Sequence, residues 1–404
     1  VLGCIIYVFV ALHSLLYLNY YIQVGELSHA LFRLVPALGM ATLFVMTVLY
    51  TTAWSIVRKY SYRVFYITHI IVALAAPPLV WFHVYHARLF MGESLLLFVV
   101  DLVVRKLRII DSEAVIEIIP GTDLIKVIAT VPSEKLRLFR AHPASYAYLS
   151  IPSASRPSQK QWSLASLRYT FTSNPFTVAT VDEERSELTL VARQMRGPVT
   201  TALARLASMR SPDSKVALRV DGPYGATMHL PVLSGNRFDR VLLVAGGVGA
   251  TFIMPLYEHV LAESASARVQ MIWAVRDSDE LRWPAPSGGK TIHDDDRIQL
   301  FVTGAPREDT STDVDGSTLD GLDDDIELNR FELEGKTAAE ARAENCRRPD
   351  LQVIVDEVFC QGAGERVAVL VCGPTNMARH VQKAVGKWVT QGRDVWFYNE
   401  SYSW

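Results

Sequence analysis

Residues 241–262 read VLLVAGGVGATFIMPLYEHVLA. A wholly apolar run ends at the glycine turn Gly246-Gly247-Val248-Gly249, and an apolar stretch of helical length follows. An apolar run bounded by glycine reads as a buried strand, and the longer stretch after it as a helix. The order recurs downstream in VQMIWAV (269–275) and in AVLVCGPTNMARHVQKAV (368–385). Strand, loop and helix in succession predict a parallel α/β, Rossmann-like unit from about residue 233 to 404. Glycines allow close backbone approach, and the helix N-terminus offers unpaired N–H groups and a partial positive charge. Taken alone, the turn is either a phosphate cradle or merely a tight turn.

Upstream the pattern changes. Residues 109–232 hold six short segments, VIEII, LIKVIATV, YAYLSI, FTVATV, LTLVAR and KVALRV, separated by Gly, Pro and Ser turns. Alternation at this spacing predicts a small antiparallel barrel. Residues 308–327 (EDTSTDVDGSTLDGLDDDIE) are acidic and without period, and are expected to be an unpacked insertion in the α/β part.

Residues 1–108 are of another kind. Apolar runs at 1–22, 34–57, 64–85 and 88–104 predict four membrane helices, the last a little short for the ~30 Å of hydrocarbon. Arg58, Lys59 and Arg63 lie in one connection, and Arg105, Lys106 and Arg108 at the exit. That bias puts these ends, and everything after them, in the cytoplasm. The net charge of −2 argues against a nucleic-acid surface. Cys4, Cys346, Cys360 and Cys372 have no zinc or disulfide spacing.

His69 and His83 stand fourteen residues apart in the third run, THIIVALAAPPLVWFHV (68–84). That is close to four helical turns, so they share a face ~21 Å apart in depth. His13 sits at the outer level on a parallel helix and is the expected partner of His83. Neutral imidazole is a strong axial ligand for haem iron, so a haem clamp is expected. A partner for His69 would fall before Val1. With no initial methionine, the chain is expected to be a fragment truncated at its N-terminus.

The barrel also holds NPFTVAT (174–180), Arg193 with Gly197 and Thr200 after it, and DGPYG (221–225). CGP (372–374) follows the last apolar strand, and the chain ends WFYNESYSW. In this combination the soluble half resembles the ferredoxin-NADP reductase superfamily. The whole chain resembles the fungal ferric reductase (metalloreductase) family, relatives of the superoxide-producing NADPH oxidases. The resemblance implies a multi-domain membrane protein: an α-helical transmembrane haem domain, an antiparallel β-barrel FAD domain and an α/β NADPH domain.

It also implies residue roles. Pro175, Phe176 and Thr177 would contact the flavin; Arg193, with Gly197 and Thr200, would hold the FAD pyrophosphate. Gly246, Gly247, Gly249 and Thr251 would hold the NADPH pyrophosphate, and Arg276 its 2′-phosphate. Cys372, Gly373 and Pro374 would lie beside the nicotinamide, Tyr402 would cover the flavin, and Trp404 is a further aromatic. Thr177, Cys372 and Tyr402 would act at the site of hydride transfer; His13, His69 and His83 would be haem ligands. The implied reaction takes electrons from cytoplasmic NADPH through FAD and b-type haem to an external ferric or cupric chelate, at the plasma membrane. An iron-uptake permease or oxidase is the kind of partner such a protein would have. A superoxide-generating oxidase and a non-catalytic relative are the alternatives, and the ESYSW tail favours the metalloreductase. Three departures stand out: Asn174 replaces the usual His, Pro143-Ala144-Ser145-Tyr146 replaces a Pro-Gly turn, and an extra residue leaves Thr200 and Thr201 competing for one role.

Overall fold

The computed structural model describes residues 2–152, 155, 174–195, 197–209, 214–225, 230–231, 233, 237–263, 268–284, 292–304, 347–362 and 364–401. The acidic stretch 308–327, Tyr402 and Trp404 lie outside them. The chain forms two compact units, residues 1–107 and residues 108–403.

In the first unit the helices are α1 (Leu2–Val24), α2 (Leu27–Ala30), α3 (Leu34–Thr52), α4 (Ser55–Tyr60), α5 (Tyr62–His83) and α6 (Ala87–Arg108). Among the described residues, three are long and apolar enough to cross a membrane: α1, α3 and α5, the last counted over Val64–His83. The fourth apolar run forms α6, which has the length but carries Glu93, Asp101, Arg105 and Lys106. A charge is costly within hydrocarbon, so by length and composition α6 is not counted with the other three. Helix α3 packs against both α1 and α5. Tyr7 stacks on Tyr50 at 4.5 Å between ring centroids, and its hydroxyl lies 3.1 Å from Thr47 Oγ1. Most other large side chains here are apolar and exposed, as a lipid-facing surface requires.

In the second unit, β1 (Ile110–Ile118), β2 (Leu124–Thr130), β3 (Tyr146–Ser150), β4 (Asn174–Asp182), β5 (Glu187–Arg193) and β6 (Val216–Tyr224) close an antiparallel barrel in the order β1-β2-β5-β4-β3-β6. Alternate residues fill it, among them Ile125, Val127, Leu149, Phe176, Val178, Leu188, Leu190 and Leu218. Helices α7 (Ser133–Ala141) and α8 (Pro198–Met209) add Leu136, Phe139, Leu203 and Leu206 to the same core.

The α/β part follows as β7 (Arg240–Gly246), α9 (Ala250–Glu263), β8 (Arg268–Val275), β9 (Ile298–Val302), α10 (Leu351–Cys360), β10 (Val367–Cys372), α11 (Thr375–Thr390) and β11 (Val395–Glu400). Its five parallel strands run in the order β11-β10-β7-β8-β9. Every residue of β7 is buried, as a central parallel strand covered on both faces demands. Leu124, Ala179 and Val191 from the barrel's outside join Phe252, Trp273 and Leu370 in one hydrophobic core. The barrel and the α/β sheet, read from sequence as separate domains, therefore share a packed interface.

Tyr257 ties α9 to the loop before β9: its hydroxyl donates to Asp295 Oδ2 at 2.6 Å, and Arg297 donates to both Asp295 oxygens. Burial alone would raise the Asp295 carboxyl, but the bonds from Arg297 and Tyr257 outweigh it and hold it at about 2. A depressed carboxylate stabilises the fold above its unfolded pKa of ~3.9, and that contribution fades as pH falls toward 2. Asp295→Asn is therefore expected to cost about 2 kcal/mol near neutrality and almost nothing near pH 2. Denaturant midpoints of the detergent-solubilised chain at several pH values check this; a cost that does not shrink on acidification contradicts it.

Candidate functional site

The order of β7, β8 and β10 creates a crevice. β7 is flanked by β8 on one side and β10 on the other, so the connections diverge at its C-terminal end. Ligands of open α/β sheets bind at such a switch point. Two sequence features meet there: the turn Gly246–Thr251 after β7, and Cys372-Gly373-Pro374 after β10.

They meet backbone to backbone. A Cβ on Gly249 would stand 2.2 Å from the Cys372 carbonyl oxygen, and one on Gly373 would stand 3.0 Å from Gly246 Cα. Gly246 itself faces Pro374 Cδ, at 2.6 Å from such a Cβ. These glycines are thus needed first so that two strand ends can touch. Gly247 differs: its φ of +52° is the left-handed conformation, and nothing lies within 3.4 Å of its missing Cβ. It is the residue that opens the cradle. The turn is a short 3-10 segment running directly into α9, and Thr251 Oγ1 donates to the Val248 carbonyl at 2.9 Å to hold its shape. Trp273, fully buried on β8, donates its indole N–H to the Gly247 carbonyl at 3.0 Å.

Cys372 itself is fully buried at the end of β10. Its strand neighbours are Ala245 and Glu400. Tyr398, whose hydroxyl donates to Glu400 at 2.6 Å, stacks on Trp396 and Phe252 beside it. Pro374 precedes α11 as its N-cap. Arg276 follows β8 and is exposed, at the strand end next to the glycine turn.

On the barrel, parity sorts the candidates. Phe176 and Val178 point inward, so Pro175, Thr177 and Ala179 point outward, and Ala179 lies in the core shared with α9. The Phe176 side chain fills the barrel, because it shares the inward register of β4 with Val178. Tyr146 pairs with Thr177 and Tyr148 with Pro175, so these four share the outer face. Tyr224 joins them, with ring centroids 6.1 Å from Tyr146 and 5.6 Å from Tyr148. This tyrosine platform went unmarked in the sequence, although the spacing Tyr146-x-Tyr148 on an alternating strand carries the signal. Ala144 adopts a φ of +58° before β3, a left-handed conformation that glycine would take more readily.

Arg193 ends β5 on the same outer side as Val191. After it, Thr200 is buried and closes the loop: its hydroxyl donates to the Met195 carbonyl at 2.9 Å and accepts from the Met195 N–H at 3.2 Å. Thr201 makes a longer contact of 3.4 Å to the same carbonyl. Thr200 is therefore the residue that shapes the Gly197 turn at the head of α8. Helix α9 packs against β4, bringing the glycine turn and the barrel's outer face into one region. The residues present fit two bound groups. A left-handed glycine opening before a helix N-terminus suits a pyrophosphate, and an outward arginine beside an aromatic face suits a flavin nucleotide.

His69 and His83 share α5, as the fourteen-residue spacing requires, and His13 lies on α1. His83 Nδ1–H donates to the Val35 carbonyl of α3 at 2.8 Å, and its ring covers Gly39. His13 lies against Tyr17 of its own helix, at 4.8 Å between rings. The reason is local: an imidazole N–H in hydrocarbon needs an acceptor, and a glycine on α3 leaves the space to reach one. His69 Nδ1 is buried without a hydrogen-bond partner. Among the described residues no cluster of three or more His, Cys, Asp or Glu could hold a metal ion.

Three segments of the chain match known family models. Residues 1–80 match the ferric reductase like transmembrane component, 111–228 an FAD-binding domain and 238–386 the ferric reductase NAD binding domain. The class is a membrane oxidoreductase that joins apolar helices to an FAD-binding barrel and an NAD-binding α/β domain. Over 371 residues the chain is 24% identical to "Probable metalloreductase AIM14" of Meyerozyma guilliermondii, covering 91% of this chain and 69% of that one. It is 23% identical over 427 residues to the ferric/cupric reductase transmembrane component 2 of Saccharomyces cerevisiae, covering 100% of this chain and 55% of that one. It is 24% identical over 394 residues to a superoxide-generating NADPH oxidase heavy chain of Dictyostelium discoideum, covering 90% of this chain and 69% of that one. The chain belongs to the ferric reductase family, and spans about half to two thirds of these relatives' lengths.

Proposed function

We propose that this chain carries electrons from cytoplasmic NADPH through FAD and across the membrane to a ferric or cupric chelate, at the plasma membrane. The observation that carries the reading is the convergence of the Gly246–Thr251 turn and the Cys372–Pro374 loop at the switch point of a sheet that shares its core with the FAD-binding barrel. In this reading Gly247 and the first turn of α9 bind the nucleotide pyrophosphate with backbone N–H groups. Arg276 binds the 2′-phosphate and selects NADPH over NADH. Thr177, Pro175 and the three tyrosines orient the flavin ring, Arg193 and the Gly197 turn hold its pyrophosphate, and Cys372-Gly373 border the nicotinamide. FAD, when bound, would accept one hydride, two electrons at once, and release them singly, which a one-electron metal acceptor requires. A b-type haem, with His13 on α1 and His69 and His83 on α5 as ligand candidates, is the proposed carrier within the membrane.

The test is direct. The full chain in nanodiscs is expected to purify yellow, to lose flavin absorbance on adding NADPH, and to reduce a ferric chelate. Arg276→Ala should lower its preference for NADPH over NADH about tenfold, the loss of one charge-assisted contact worth ~1.4 kcal/mol. A colourless protein, or flavin that NADPH does not bleach, refutes the proposal. The similarity to a superoxide-generating oxidase supports a second reading, with O₂ as acceptor. NADPH oxidation that yields superoxide but no ferrous product would favour it.

A further inference from the structure

Where the barrel meets the α/β sheet, a buried acid stands beside the nucleotide turn. Glu280 belongs to the 3-10 segment Ser278–Arg282 after β8, and its side chain is 6% exposed. Oε1 accepts from Arg193 Nη2 at 2.9 Å, across 87 residues of chain. Oε2 is buried without a hydrogen-bond partner and lies 3.5 Å from where a Cβ on Gly247 would stand. Arg193 Nη2 lies 3.8 Å from the same point. Asp123 adds a second carboxylate, 3.3 Å from Arg193 Nε, but it is half-exposed. The guanidinium therefore sits between a flavin-side surface and the turn that would take a pyridine-nucleotide pyrophosphate. A carboxylate fixed within contact distance of that turn repels a phosphate unless a cation offsets it. Burial pushes the Glu280 carboxyl above its ordinary range; Arg193 pulls it back down and Asp123 pushes it up again.

We propose that Arg193 serves both cofactor sites: besides the flavin pyrophosphate, it neutralises Glu280 and so keeps the Gly246–Thr251 turn open to nucleotide phosphates. This rests on the reading of that turn as the nucleotide site. Because one cation is common to both sites, flavin and nucleotide affinities are coupled, and the coupling is reciprocal.

The probe is 2′-phospho-ADP-ribose, which lacks the nicotinamide and so does not depend on stacking against flavin. Its binding to the full chain in nanodiscs is measured by calorimetry, with FAD affinity followed in parallel by flavin fluorescence. Arg193→Ala is expected to weaken probe binding at least about tenfold. The double variant Arg193→Ala/Glu280→Gln should return it to within about threefold of wild type, while FAD binding stays weak in both. Glu280→Gln alone, which keeps the hydrogen bond to Arg193 and removes the negative charge, should raise probe affinity about two- to fivefold. Unchanged probe binding in Arg193→Ala, no recovery in the double variant, or a loss of affinity in Glu280→Gln each overturns the proposal. A wild-type chain that binds no probe overturns the nucleotide reading and this proposal with it.

Discussion

Gly249→Ala is expected to destabilise the soluble unit by about 3 kcal/mol or more and to abolish nucleotide binding. The new methyl would stand 2.2 Å from the Cys372 carbonyl oxygen and 2.7 Å from its carbon. Neither atom belongs to a flexible side chain. Cys372 is held in the ladder by Ala245 on one side and Glu400 on the other, so β10 cannot retreat without breaking two parallel pairings. The turn would have to lift away from the strand end, opening the crevice it forms. Gly247→Ala is the contrasting case. It places a methyl in the left-handed region at φ +52° but meets nothing closer than 3.5 Å, so about 1 kcal/mol is expected. Denaturant midpoints of the two variants, with calorimetric binding of NADP⁺, check the order. If Gly247→Ala proved the more damaging, turn conformation and not strand contact would govern this site.

Trp273→Ala should cost about 3–5 kcal/mol, the range for emptying a buried large aromatic position. Trp273 is fully buried and meets Trp283 edge-on, with ring centroids 5.7 Å apart. Trp273→Phe separates packing from hydrogen bonding. It keeps most of the volume but removes the donor to the Gly247 carbonyl, which should cost about 1–2 kcal/mol. It should also weaken NADP⁺ binding several-fold, because the peptide that presents its N–H groups to a phosphate is no longer fixed. A well-folded Trp273→Phe chain with wild-type NADP⁺ affinity would show that the indole only packs.

The glycine turn and the barrel strands were legible because their signals are local. β1 and β6 alternate buried and exposed residues, and β7 is buried throughout; both patterns are written in five to nine consecutive residues. The same alternation, followed one residue further, separates Phe176 inside the barrel from Thr177 outside it, a distinction that a motif read as a block obscures. The fourth apolar run is a helix of the expected length, but Glu93 and Asp101 interrupt its apolar residues.

Contacts between distant segments carried no such signal. Helical spacing put His69 and His83 on one face of α5, yet nothing in that spacing says which helix covers the face; Gly39 and the Val35 carbonyl on α3 do. Glu280 lies in an unremarkable polar turn, and only packing of the sheet against the barrel brings it to Arg193. Periodicity, glycine placement and charge bias are properties of a segment, because backbone conformation and the choice of buried face are settled within a few residues. Partnership between side chains is a property of how faces stack. The class of each segment, membrane helix, barrel strand or nucleotide turn, could therefore be read along the chain, while the shared cation, the buried acid and the neighbour of His83 emerged only once those faces were packed.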